Sequence, residues 1–190
     1  YDGSYKFAGM RETRWGFFPS ASVAWNLSKE PWMANFTSLT DFKLRGSVAL
    51  LGNDLGTSAY MFSNNYSKYY SQVIYGNGSV NPAYGDSGIA NKDLTWEKSL
   101  SYNVGFDLDL WNGRLAMEVD AFYNYVFDML TAQSSGYPSS MGGYYMSYIN
   151  HDAYDTKGID VMVSHRNHFM LGGKPFQYGI SATVTYARSR

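Results

Sequence analysis

The sequence predicts an all-β fold: an antiparallel up-and-down sheet of six to seven long strands. Three observations predict it. Apolar and polar residues alternate at successive positions, which is the period of a strand with two unlike faces. The alternating runs reach roughly 10 to 12 residues, whereas soluble strands average about 5 to 6. The connections between runs alternate between shorter and longer, as in a sheet that runs up and down. The 18 Tyr and 19 Gly among 190 residues suit strands joined by turns.

Each element follows in chain order. YDGSYKFA reads as the tail of a seventh strand, with Tyr1, Gly3, Tyr5 and Phe7 on one face. In FFPSASVAWNLS, Phe17, Pro19, Ala21, Val23, Trp25 and Leu27 oppose Phe18, Ser20, Ser22, Ala24 and Asn26. In DFKLRGSVALLG, Phe42, Leu44, Gly46, Val48 and Leu50 oppose Lys43, Arg45, Ser47 and Ala49. The run from Ser99 sets Leu100, Tyr102, Val104, Phe106, Leu108 and Leu110 against Ser101, Asn103, Gly105, Asp107 and Asp109. Asn112-Gly113 then predicts a type I′ hairpin turn, which needs φ > 0 at both central residues. The return strand carries Leu115, Met117, Val119, Ala121, Tyr123, Tyr125 and Phe127 on one side. Glu118, Asp120, Asn124 and Asp128 lie on the other, where Phe122 and Val126 are the two exceptions. In KGIDVMVSHR, Ile159, Val161 and Val163 oppose Asp160, Met162, Ser164 and Arg166. In FQYGISATVTYA, Phe176, Tyr178, Ile180, Ala182, Val184 and Tyr186 oppose Gln177, Gly179, Ser181, Thr183 and Thr185.

Two connections are long and rich in Tyr, Ser, Gly and Asn: about 53–95 and about 131–156. The shorter ones are SKEPWMANFTSLTD, 111–114 and about 167–175, so the long connections share one end of the sheet. In EPWMANFT, Trp32, Met33 and Phe36 would share one face of a helical turn and anchor it to the sheet's rim.

Composition excludes several classes. With 45% hydrophobic and 16% charged residues the chain is not disordered, and a net charge of −1 gives no footprint for nucleic acid. There is no Cys, hence neither a disulfide framework nor a thiolate site. No run of 18 apolar residues is present to form a transmembrane helix. The opening on Tyr1 and the closing TYARSR read as the ends of a piece of something longer.

A half-buried strand of a soluble sandwich alternates as well, and three features separate it from a membrane barrel. Membrane strands need about 9 to 11 residues, and these runs have them. The apolar face carries no charge in any of the six clear strands, and aromatics gather towards its ends, as barrel girdles do. Short turns at one end and long loops at the other also match outer-membrane barrels. The polar face carries Lys43, Arg45, Asp107, Asp109, Glu118, Asp120, Asp160 and Arg166, which a wet lumen would satisfy.

The segments RWGFFPSASVAWNLSKEPWM, LTDFKLRGSVALLGND, NKDLTWEKSLSYNVGFDLDLWNGRL and KGIDVMVSHR together resemble the SusC-like TonB-dependent transporters of Bacteroidetes outer membranes. The resemblance covers nearly everything outside the two long loops. Departures are Val48 to Gly52, where the family is richer in Gly, and Thr156, where the family has Asn before Lys-Gly. The resemblance implies an arc of a 22-stranded barrel, with residues 1–190 forming part of the barrel domain and the plug domain and remaining strands lying elsewhere. It implies TonB-dependent import of an oligosaccharide or peptide, with a SusD-like surface lipoprotein, TonB (reached through a segment outside this chain) and membrane lipid as partners. The reading of the residues alone keeps an alternative: a soluble or cell-surface adhesin-like sheet with Tyr-rich loops.

Covalent chemistry finds little support. Asp107 and Asp109 face Glu118 and Asp120 across the hairpin, but all four fall in the polar register and read as lumen lining rather than a glycosidase pair. His165 and His168 lack a ligand-type spacing, and His151 stands apart. Asn53-Asp54 and Asp152 with Asp155 match no complete Ca²⁺ loop. Neither enzyme activity nor a cofactor is expected. The ligand-binding candidates are loop aromatics, which offer flat faces to sugars and a hydroxyl to hydrogen-bond. They are Tyr60, Tyr66, Tyr69, Tyr70, Tyr75 and Tyr84 in the first loop, and Tyr137, Tyr144, Tyr145 and Tyr148 in the second.

Overall fold

β-Branched and aromatic residues at alternate positions favour extended backbone, and the computed structural model is built from strands. They are β1 (Asp2–Gly3), β2 (Trp15–Gly16), β3 (Ser20–Asn26), β4 (Leu39–Asn53), β5 (Tyr66–Ile74), β6 (Val80–Asp86), β7 (Glu97–Leu110), β8 (Leu115–Ala132), β9 (Tyr148–Leu171) and β10 (Lys174–Ser189). Single helical turns lie at Arg11–Arg14, Leu27–Lys29 and Pro31–Met33. The structure describes residues 1–7, 11–56, 58–63, 66–74, 76, 78, 80–86, 90–132, 140 and 148–190.

Six strands form one sheet in the order β10-β9-β8-β7-β4-β3. Neighbours in space are neighbours in sequence, apart from the β5–β6 hairpin inserted between β4 and β7, so the up-and-down order is as expected. The register joins like faces. Ala21 pairs with Val48, Val23 with Gly46 and Trp25 with Leu44, while Ser22 pairs with Ser47 and Asn26 with Lys43. At the other side Ile159 pairs with Tyr186, Val161 with Val184 and Val163 with Ala182, while Asp160 pairs with Thr185 and Ser164 with Ser181. A slip of one residue would exchange every one of these faces.

The turns follow from backbone chemistry. Asn112 and Gly113 have φ of 55° and 79°, as a type I′ turn requires, and Trp111 is also positive at 54°. Gly172 and Gly173, at 57° and 79°, close β9 to β10 in two residues. The connection expected over 167–175 is therefore mostly strand, since a Gly-Gly pair adopts positive φ without a steric penalty and lets pairing run up to it.

Three other expectations are corrected. YDGSYKFA is not a seventh strand of the sheet: Asp2–Gly3 pairs only with Trp15–Gly16. Phe7 turns away from an extended path because its ring is buried, at 1% exposure. The first long connection holds the β5–β6 hairpin, and the second is shorter than expected because β9 begins at Tyr148. Tyr and Val on both sides of Gly76 and Gly78 favour that hairpin.

Packing divides the chain into two compact units. The first comprises Tyr1–Phe18, Gly52–Lys98 and Val126–Ala153; the second Pro19–Leu51, Ser99–Tyr125 and Tyr154–Arg190. The core of the first unit is aromatic: Phe7, Leu94 and Trp96 are buried, with Phe18, Met61, Leu130 and Tyr148 packed around them. The second unit has no such core. Its apolar register is open, with Val23, Val104, Ile180 and Val184 at 71%, 66%, 67% and 65% exposure.

Candidate functional site

The polar face of the second unit is organised around one arginine. Arg45 Nη2 lies 2.7 Å from Asp107 Oδ1 on β7 and 2.9 Å from Asp120 Oδ2 on β8. The Asp120 contact is a hydrogen bond, whereas the Asp107 contact is close in distance without hydrogen-bond alignment. With side chains 23–35% exposed, such pairs contribute about 0–1 kcal/mol each. Gly105 makes the arrangement possible. A Cβ there would collide with the Asp120 carboxylate and stand 2.7 Å from the Val119 carbonyl. Beyond it, Ser101 Oγ donates to Asn124 Oδ1 at 2.5 Å.

Glycine serves a second close approach at Gly158, where a Cβ would lie 2.5 Å from the Tyr186 carbonyl oxygen and the Phe122 ring. Phe122, an exception to alternation in the sequence, is the aromatic that covers this glycine. The lumen-side candidates Lys43, Asp109, Glu118, Asp160 and Arg166 lie on the same polar register as the Arg45 group. The structure brings Arg45, Asp107 and Asp120 together but, among the described residues, shows no ion pair at those five.

The loop aromatics scatter. Tyr60, Tyr66 and Tyr84 are exposed at 62%, 68% and 70%. Tyr60 carries a φ of 66° and its ring lies 6.3 Å from that of Phe62. Tyr66 pairs with Asp86 and Tyr69 with Ala83 in the β5–β6 ladder, and Tyr70 continues β5. Tyr148 is half-buried against the aromatic core. Tyr75, Tyr137, Tyr144 and Tyr145 lie outside the described residues.

A residue that sequence reading passed over fastens the first unit. Asn150 Oδ1 accepts from the Thr95 N–H at 3.0 Å, and its Nδ2 donates to the carbonyls of Thr95 at 2.9 Å and Asp128 at 2.7 Å. Asp128 has a φ of 56°, an uncommon conformation for a non-glycine residue, and Lys98 Nζ holds its carboxylate at 2.9 Å. Asn91 donates to the Tyr148 carbonyl and accepts from the Asp93 N–H, and Trp96 Nε1 donates to the Arg14 carbonyl. The NKDLTWE segment is thus a packing device. A lone Asn in a polar loop gives no signal of this kind, because its partners are distant backbone groups.

Nearby, the Thr131 hydroxyl donates to Asp152 Oδ2 at 2.6 Å. That bond, and then His151, hold the Asp152 carboxyl below its ordinary pKa. Among the described residues no group of three His, Asp or Glu gathers as metal ligands. Asp54 instead accepts from Ser4 Oγ at 2.7 Å.

At the short-turn end, Trp25 donates its Nε1 to Glu30 at 2.8 Å. Met33 and Phe36 line a groove with Phe42, Phe106, Leu108 and Leu110. Trp32, expected to join them, does not line it, and Phe36 is as exposed as Trp32, at 61% and 57%. The intervening 3₁₀ turn at Pro31–Met33 has three residues per turn, which points Trp32 elsewhere.

A sheet of strands this long, with one open apolar face, one charged face and short turns at one end, is the wall of an outer-membrane β-barrel. Residues 1–190 match the family described as "TonB dependent receptor-like, beta-barrel", and the chain belongs to that family. It is 25% identical over 197 residues to the TonB-dependent receptor SusC of Bacteroides thetaiotaomicron, spanning 98% of this chain and 18% of SusC. It is 32% identical over 130 residues to TonB-dependent receptor P39 of Formosa agariphila, spanning 68% of this chain and 12% of that protein. The RagAB peptide importer in its open-open state shares the fold, with a TM-score of 0.80 at 21% identity over 97% of this chain and 19% of the importer chain. The chain thus spans about a fifth or less of these relatives. Members of the family are outer-membrane receptors and transporters, not enzymes, and this location decides against the soluble-sheet alternative.

Proposed function

We propose that the protein carrying this chain imports an oligosaccharide or a peptide nutrient across the outer membrane, driven through TonB. The chain supplies barrel wall and two extracellular loops. The observation that carries the reading is the two-faced wall, open and apolar on one face and charged on the other, in a chain that belongs to this receptor family. Similarity to SusC supports a glycan, and similarity to the RagAB peptide importer supports a peptide. The same relatives support a SusD-like lipoprotein at the extracellular side. The exposed Tyr60, Tyr66 and Tyr84 are the aromatic faces we assign to ligand contact; the lumen polarity around Arg45 keeps the passage wet.

The test deletes the full-length gene and measures uptake of labelled oligosaccharides and peptides, with a TonB-deficient strain alongside. Loss of uptake for one class, matched by loss of TonB and restored by the full-length gene, is expected. Uptake of both classes at the parental rate refutes the proposal.

A further inference from the structure

We propose that the β5–β6 hairpin carries a two-ring platform, Tyr66 and Tyr84, on which an oligosaccharide stacks. The inference deepens the import reading and rests on it. Of the two nutrient classes it selects the glycan, and of the exposed loop tyrosines it selects two.

The ladder sets the face. Lys68 pairs with Tyr84, and Tyr66 stands two residues before Lys68 on the same strand. Side chains alternate along a strand, so Tyr66, Lys68 and Tyr84 share one face of the hairpin. The register shift of the ladder comes after Tyr69 and leaves this pairing intact. Exposure alternates in the same phase along β6: Pro82 and Tyr84 are exposed, whereas Asn81, Ala83 and Gly85 are half-buried. The tyrosine face is therefore the solvent face. Tyr66 and Tyr84 are diagonal neighbours across the two strands, a relation that sets residues about 7–8 Å apart. One ligand can lie over both.

These two rings serve no internal packing. At 68% and 70% exposure they keep most of their surface in water. Among the described residues neither ring meets another aromatic and neither hydroxyl has a hydrogen-bond partner. Other loop tyrosines differ: the Tyr60 ring lies beside Phe62, and Tyr148 packs against the core. Neighbouring aromatics left open on one face mark an interaction site. Tyrosine supplies a broad, rigid contact at low conformational cost, with an apolar ring face and a hydroxyl at its tip. A pyranose is complementary, with C–H groups on its flat side and hydroxyls around its rim. A peptide bound by a sheet instead joins an edge strand through backbone hydrogen bonds and sets alternate side chains in pockets. The hairpin offers side chains on a face, Tyr66, Lys68, Pro82 and Tyr84, which suits the sugar.

The experiment returns the full-length gene to the deletion strain in three forms: parent, Tyr66→Ala with Tyr84→Ala, and Tyr66→Phe with Tyr84→Phe. Uptake of fluorescent linear hexasaccharides and of a fluorescent peptide pool is measured against concentration. Retained heat-modifiable migration shows that each variant is folded. The parent takes up a hexasaccharide. The alanine pair raises its KM at least about tenfold with little change in maximal rate, as loss of ground-state binding requires. The phenylalanine pair, which keeps both rings, stays within about threefold of the parent. An unchanged KM in the alanine pair overturns the platform and leaves the import reading standing. Uptake of peptides alone by the parent overturns the glycan assignment and also leaves import standing. An unchanged KM together with loss of a co-purifying lipoprotein overturns the platform in favour of a protein contact. Uptake of neither class by the parent removes the import reading and this inference with it.

Discussion

Replacing Asn150 by Leu removes three hydrogen bonds while keeping a similar volume. The bonds lost are those with Thr95 N–H, Thr95 C=O and Asp128 C=O, at 3.0, 2.9 and 2.7 Å. A typical intramolecular hydrogen bond contributes about 0.5–1.5 kcal/mol net. Three give about 3 kcal/mol, and backbone groups left unpaired in a part-buried site push the value up rather than down. Because Asn150 ties β9 to the segment before β7 and to the strained Asp128, the cost falls on local opening of the first unit. An opening free energy lowered by about 3 kcal/mol speeds exchange of amides protected by that opening by roughly 100-fold. Hydrogen exchange with mass spectrometry on the full-length protein in detergent reads this in the peptide spanning Thr95. The Thr185-containing peptide of β10 serves as a control and should keep its protection. Equal protection of the Thr95 peptide in Asn150→Leu and parent would refute the role given to Asn150.

Gly158→Ala puts a methyl 2.5 Å from the Tyr186 carbonyl and should cost about 1–3 kcal/mol, read as a lower urea midpoint. Gly173→Ala, at a φ of 79°, should cost about 1–2 kcal/mol, whereas Gly173→Asn should recover part of it in the same assay. Val104→Arg places a charge on the open apolar face and should destabilise the membrane-inserted protein by up to about 2–4 kcal/mol, while Thr183→Arg on the opposite register should fold nearly as the parent does. Leu108, Val119 and Val161, each changed to Cys in this Cys-free segment and spin-labelled, should be accessible to oxygen and shielded from a water-soluble nickel chelate. Shielding from both reagents would mean a protein core behind that face.

Much of the wall was legible because strand alternation is a local signal. The pairs Val23–Gly46 and Val161–Val184 follow once two alternating runs are placed side by side. The type I′ turn at Asn112-Gly113 was legible for the same reason, since its φ preferences belong to two residues. What was missed depends on contacts between distant segments. Phe7 looked like a strand residue until Trp96, far along the chain, supplied its packing partner, with ring centroids 5.3 Å apart. Phe122 looked like a pattern error until Gly158 was seen beneath it. The Arg45 group was legible as polarity but not as a cluster, because pairing across three strands sets which carboxylates reach the guanidinium. Tyr148, grouped with loop aromatics by composition, packs against the core instead.

The β9–β10 ladder is also a ruler. Along its outward face the rungs run Lys157–Arg188, Ile159–Tyr186, Val161–Val184, Val163–Ala182 and His165–Ile180. Charge closes the apolar run at one end; past His165 the same face carries the exposed aromatic pair Phe169–Phe176. From Lys157 to His165 is nine residues counted along that register, the length a tilted strand needs to cross hydrocarbon, about 9 to 11. Yet β9 has 24 residues, about 80 Å of contour. Most of its hydrogen-bonded length therefore lies outside the nine-residue span from Lys157 to His165. The Lys157–Arg188 rung marks one edge of that span along the strand, with the apolar face beginning at Ile159–Tyr186.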